Sequence, residues 1–205
     1  MIAAISIFTK LRMLNGTHSL LAYWGALHGL TTIADAVTDE HLASIARGFL
    51  FDEVVPTLTA PDGLDLAAYA ESLLERFANP GTRHSTIQVA MDGSKKLPIR
   101  LFGTVSDLLA RGVLPIHAAQ AFAAWIVFVA AGRTVSGEPL VLDDPRAAEL
   151  AAATGRGSGE TPDAAALVAA VLALPDFVPA AVSANADFTA AVTTAAEDLL
   201  GEYRA

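Results

Sequence analysis

Apolar residues along the 205-residue chain recur at helical spacing, and the strict alternation expected of a half-buried strand is almost absent. Leu14, Leu20, Leu21, Trp24 and Leu27 fall on one stripe, which predicts a first helix running to Gly29, a residue suited to a C-terminal stop. Thr38 or Asp39 is placed to cap a second helix through Phe51, ahead of Pro56. Asp65 to Phe77 reads as a third, ended by Asn79-Pro80-Gly81. Residues 86–103, TIQVAMDGSKKLPIRLFG, break the rhythm: β-branched residues and an Asp-Gly turn signal predict an irregular or short-strand segment there. Beyond it the pattern predicts a helix over 104–111, an all-round apolar helix within 113–131, another with Pro145 in its first turn, and two Ala-rich helices over 164–174 and 188–203. No repeat is visible.

Composition sharpens this into one mainly α-helical domain with at most a few short strands. Hydrophobic residues make up 53% and charged residues 17%, enough apolar surface for a substantial core. A net charge of −9 with 13 scattered Lys and Arg lacks the basic stripe that nucleic acid requires. With no cysteine, thiolate metal sites and disulfides are excluded, and no His or carboxylate spacing points to a metal. The apolar run 113–131 contains Pro115, His117 and Gln120 and sits among soluble-type helices, so a buried core helix is expected and not a membrane span. The start, MIAAISIF, lacks the basic flank of a signal peptide, and the cytoplasm is the expected compartment. The glycine-rich GRGSG at 155–159 follows a helix and opens a polar linker. A dinucleotide loop follows a strand and opens a helix, so no phosphate site is expected there.

The candidate chemistry clusters near the start, in Lys10-Leu-Arg-Met-Leu-Asn15-Gly-Thr-His18. On an α-helix Asn15 lies about 140° and His18 about 80° from Lys10, so amine, amide and imidazole fan across one side. Such a set suits work on a hydroxyl or carbonyl, one group moving the proton and two holding the oxygen. Spacing alone does not separate this trio from a solvated lysine and a structural histidine. Asp92 reads as a turn residue, and His28, His41 and His117 as structural or surface histidines.

Four ordered blocks change that balance. KLRMLNGTHSLLAYWGALHGL, DEVVPTL, GLDLAAYAESLLERFANP and HSTIQVAMDGSKKLPIR, followed by a DDP, together resemble the C-terminal domain of the mannitol dehydrogenase family, which includes mannitol 2-dehydrogenases and fructuronate reductases. The resemblance covers about residues 10–150 well, and the Ala-rich tail only in its helical pattern. It implies a multi-helical fold like the 6-phosphogluconate dehydrogenase C-terminal domain. The implied activity is NAD(P)-dependent interconversion of a secondary alcohol and a ketone on a sugar alcohol or sugar acid, without a metal.

By the same resemblance Lys10 matches the general acid/base, and Asn15 and His18 match the residues that hold the reacting oxygen. Lys96 matches a lysine that contacts the substrate's distal oxygens, with His84 and Gln88 on the substrate side of the site. Gln88 stands where one branch of mannitol dehydrogenases has arginine, which with His84 and the MDGS context is more similar to the fructuronate reductase side. The family's nucleotide-binding domain precedes the lysine, whereas nine residues precede Lys10 here. The expectation is therefore a catalytic half whose NAD or NADP is bound by an absent Rossmann domain or a separate chain. The alternative is an inactive truncated remnant acting only as a binding or self-associating module, and self-association into a homo-oligomer through the uncovered face is expected.

Overall fold

The computed structural model describes residues 7–158 and 162–203. A short helical turn, Ile7–Thr9, passes without a break into a π-helix, Lys10–Gly16, and then into an α-helix, Thr17–Leu27, so the expected first helix is one rod with a wider winding in its first half. A second π-helix, Phe49–Val54, continues the Glu40–Gly48 helix. The two π-segments meet at Gly16, where an added Cβ would lie 3.2 Å from the Phe49 ring and 3.0 Å from the Arg100 carbonyl. Gly16 is thus the residue that lets the rod approach both neighbours.

Local capping sets most other boundaries. Thr32 and Asp35 form a reciprocal capping box at the start of Ile33–Thr38, and Asp39, Asp65, Asp163 and Asn185 each cap the helix that follows. The expected helices over 104–111, 164–174 and 188–203 are realised as Phe102–Leu109, Ala164–Leu172 and Ala186–Glu202.

The centre of the molecule is the Ile116–Ala131 helix, buried from Ala118 to Ala130 at every residue but Gln120. It packs against the Thr17–Leu27 and Ala186–Glu202 helices, and Phe122, Trp125 and Phe128 are fully enclosed. Both its ends are closed by side chains from elsewhere. The Glu53 carboxylate accepts from the His117 and Ala118 N–H groups at 2.6 and 2.8 Å. The Arg156 guanidinium donates to the carbonyls of Phe128, Val129 and Leu140. Arg156, in the glycine-rich stretch whose last residue, Gly159, lies outside the described residues, thus caps a helix C-terminus, a position that favours a cation. No helix among the described residues is long and apolar enough to cross a membrane.

The segment 86–103 departs from expectation. It forms two short helices, Thr86–Ala90 and Gly93–Arg100, and then enters a third, Phe102–Leu109. The Asp-Gly turn is real: Asp92 has φ +56°. The strand character is not, because side chains distant in sequence fix the helices. The Thr86 hydroxyl donates to the Leu30 carbonyl at 2.7 Å, and Asp144 holds the start of Gly93–Arg100. Sheet pairing among the described residues is confined to the isolated bridges Thr32–Ser85 and Arg133–Pro139.

Candidate active site

Lys10 opens the π-helix and is exposed; Asn15, near its end, is half-buried; His18 lies in the first turn of the α-helix that follows. The π-winding corrects the fan expected at 100° per residue. An i→i+5 ladder turns less per residue than an α-helix, so Asn15, five positions on, sits closer to the meridian of Lys10 than the α-helical figure implies. The Thr17 hydroxyl donates to the Met13 carbonyl at 2.7 Å and ties the two windings together.

His18 has the most perturbed environment of the three. Its ring is 4.4 Å from that of Phe77 and stands edge-on to His84 at 5.5 Å, centroid to centroid. Burial, then the neighbouring His84, Arg100 and Arg76, push its pKa down to about 4. The ring is therefore neutral near neutral pH. Its Nε2 is buried and has no hydrogen-bond partner among the described residues. A buried, unpaired polar atom is costly, and a ligand atom that reached it would complete its bonding. His84 is delivered there by the pairing of its strand-like flank with the turn at 30–33: the Ile33 N–H donates to the His84 carbonyl at 2.9 Å, and the Thr86 N–H to the Thr31 carbonyl at 3.1 Å.

The helix carrying Lys96 is anchored at its first residues. The Asp92 N–H donates to the Asp143 carbonyl at 2.9 Å, and Ser94 donates twice to the buried Asp144 carboxylate. The DDP motif is thus the fixture for the Lys96 helix. Gly93 lets this helix lie against the core: an added Cβ would fall 2.1 Å from Trp125 Nε1 and 2.9 Å from the Tyr23 hydroxyl. Lys96 Nζ donates to the Val89 carbonyl at 3.3 Å and stands 3.9 Å from Asp92. Desolvation, followed by the nearby Arg100, lowers its pKa from the usual lysine value. Gln88 is exposed on the Thr86–Ala90 helix.

The structure brings His18 and His84 into ring contact and sets Lys96 and Arg100 one turn apart on a single helix. Lys10 and Asn15 share the His18 rod. Arg100 carries no sequence signature beyond its i+4 spacing from Lys96. It is half-buried, donates to the Ser19 hydroxyl at 3.0 Å, and so reaches the residue immediately after His18. The remaining histidines have structural partners. The rings of His28 and His41 pack on Trp24, and His28 also contacts Glu202 at 2.7 Å; His117 contacts Gln120 at 3.2 Å. A cavity of about 270 Å³, lined by Gly132, Thr154, Gly155, Leu200 and Tyr203 among others, contains none of the candidate residues.

The sequence and the fold recur in known proteins. The chain matches the mannitol dehydrogenase C-terminal domain over residues 7–200. It is 43% identical over 190 residues to the D-mannonate oxidoreductase of Escherichia coli K12, covering 93% of this chain and 38% of that one. It is 38% identical over 120 residues to the D-arabinitol 4-dehydrogenase of Ralstonia nicotianae, covering 58% of this chain and 26% of that one. Its fold superimposes with a TM-score of 0.86 on a mannitol 2-dehydrogenase of Pseudomonas fluorescens solved in ternary complex with NAD and D-mannitol, at 26% identity, over 96% of this chain and 39% of that one. The chain thus spans well under half the length of these relatives. Helical architecture, ordered motifs and family match agree: the chain belongs to the mannitol dehydrogenase family and corresponds to its C-terminal domain.

Proposed function

We propose that this domain is the substrate-binding and catalytic half of a cytoplasmic NAD(P)-dependent oxidoreductase that interconverts a secondary alcohol and a ketone on a sugar alcohol or sugar acid, mannitol to fructose or fructuronate to mannonate. The observation that carries the reading is the buried, unpaired Nε2 of His18, beside His84 and on the same rod as Lys10 and Asn15. A neutral imidazole with a free nitrogen and a half-buried amide suit the task of holding a hydroxyl oxygen as it becomes an alkoxide. Lys10 is exposed on the open face, where it takes the proton from the alcohol and returns it in the reverse direction. Closure of a second domain over that face would exclude water from around the reacting groups. Lys96, with His84 and Gln88, contacts the distal oxygens of the substrate.

These helices are assigned to the sugar. The described residues contain no strand–glycine loop–helix unit, and the glycine-rich stretch holds a capping arginine instead. In this reading NAD(P) binds mainly to a nucleotide-binding domain, in the same chain or in another, and when bound it supplies the hydride acceptor. No metal is assigned a role.

The test is nicotinamide reduction by the enzyme assembled with its nucleotide-binding domain, using mannitol and mannonate. Lys10→Ala is expected to lower kcat by about 100-fold or more while the melting temperature stays unchanged, since an exposed amine contributes little packing. Full turnover by the variant would remove Lys10 from the mechanism. A lack of turnover on every sugar alcohol and sugar acid tried would remove the reading itself.

A further inference from the structure

We propose that Arg100 reads a carboxylate at the distal end of the substrate, next to Lys96, so that this site selects a sugar acid over the neutral sugar alcohol. The proposal rests on the oxidoreductase reading above and assigns Arg100 as a specificity-determining residue.

The half-buried arginines are satisfied in different ways. Arg12 pairs with Asp107, Arg146 with Glu149, and Arg156 with three main-chain carbonyls. Arg100 differs: it donates to the Ser19 hydroxyl, and no carboxylate among the described residues forms an ion pair with it. A guanidinium has five N–H donors, and a desolvated one is expensive unless its charge is met. None of its nitrogens is both buried and unpaired. Its unused donors therefore face accessible space, at the end of the helix that carries Lys96.

The neighbourhood points the same way. Lys96 and Arg100 are an i, i+4 pair on one helix face, and Arg76 and Arg100 both act on His18 electrostatically. In a chain of net charge −9 this concentrates positive potential beside the candidate site. Of the nearby acids, Asp144 is held by Ser94 and the Arg146 N–H, while Asp92 stands 3.9 Å from Lys96 and acts on Arg100 electrostatically without forming an ion pair with it. Position is also fixed. The Arg100 carbonyl lies over Gly16, and its side chain is held by Ser19, the residue after His18. The planar fork matches a carboxylate in a two-point contact that a hydroxyl cannot reproduce.

The test is calorimetric binding of D-mannonate and D-mannitol to the full-length protein, comparing wild type, Arg100→Gln and Arg100→Lys, with each variant's melting temperature recorded. Wild type is expected to bind mannonate about tenfold or more tighter than mannitol, the size of one charge-assisted contact, and to lose part of that preference as salt is raised. Arg100→Gln should weaken mannonate about tenfold and leave mannitol within about twofold, and Arg100→Lys should recover part of the loss. Equal affinity for the two ligands in wild type, undetectable mannonate binding, or equal weakening of both by Arg100→Gln would overturn the proposal. Turnover separates it from the functional reading. Arg100-dependent mannonate binding without nicotinamide reduction in the assembled enzyme defeats that reading alone. Turnover with a mannonate-to-mannitol KM ratio that Arg100→Gln leaves unchanged defeats this proposal alone.

Discussion

The Asp144 carboxylate accepts two hydrogen bonds from Ser94, from its N–H at 2.8 Å and from its hydroxyl at 2.5 Å, across 50 residues of chain. The same carboxylate accepts from the Arg146 N–H at 2.9 Å, so one buried acid starts the Lys96 helix and shapes its own loop. Removing it leaves buried donors unpaired. Asp144→Ala is expected to cost about 2–4 kcal/mol, a fall of roughly 5–12 °C in melting temperature for a domain of this size. Asp144→Asn should lose less, since one amide oxygen still accepts. Calorimetric melting measures both, and an unchanged midpoint in the alanine variant would refute the anchoring role.

Gly93 allows a helix to start against the core. An added methyl would meet Trp125 Nε1 and the Tyr23 hydroxyl, both well inside contact distance and both on fully buried side chains. Gly93→Ala is expected to destabilise by about 1–3 kcal/mol through overpacking. The displaced helix carries Lys96 and Arg100, so substrate affinity should fall along with stability. Thermal melting and ligand titration on the same sample check the coupling.

Two buried groups give opposite pH dependence in one window. His18 falls from the ordinary histidine pKa of 6.5 to about 4, so between these values the unfolded chain binds more protons and stability rises with pH. Glu53 is raised from 4.5 to about 7 by burial, which outweighs the two N–H groups it accepts from, so there the folded chain binds more protons and stability falls as pH rises. Each effect is on the order of 3 kcal/mol, and together they flatten the profile. Urea unfolding from pH 4.5 to 7 should therefore show a falling profile in His18→Gln and a rising one in Glu53→Gln. Parallel slopes in the two variants would contradict the assignment.

Arg156 closes the end of the central helix with three carbonyl contacts at once. Arg156→Ala is expected to cost about 2–3 kcal/mol, and Arg156→Lys most of that, because a single ammonium cannot span the fork. Neither change should alter substrate binding. A drop in affinity without a drop in melting temperature would point to a ligand role for the glycine-rich loop.

Helix positions and caps were legible because their determinants are local: Asp39, Asp65 and the apolar stripe before Gly29 act within a turn or two. The segment 86–103 was not, since Thr86, Ile87 and Val89 favour strands in isolation and their helical state is imposed by Leu30 and Asp144. Of the candidate site, the residue types and the Lys10–His18 order could be read directly. The contact between the rings of His18 and His84, the donors of Arg100 and the capping by Glu53 are long-range, and no periodicity encodes them. Neither π-segment has a spacing signature, because i+4 and i+5 ladders accept the same side chains.

The π-winding between Lys10 and Gly16 is in effect an insertion that needs no loop. An α-helix gains one residue, about 100° of rotation, and keeps its direction, so the chain upstream is turned relative to the face locked in the core by Leu20, Leu21 and Trp24. The bearing of Lys10 around the rod is thereby set by the winding and by the packing of Met13 and Gly16 as well as by the face that holds His18. A change of one residue in length within this segment would thus re-aim Lys10, and the residues of the segment before the change, while leaving His18 in place.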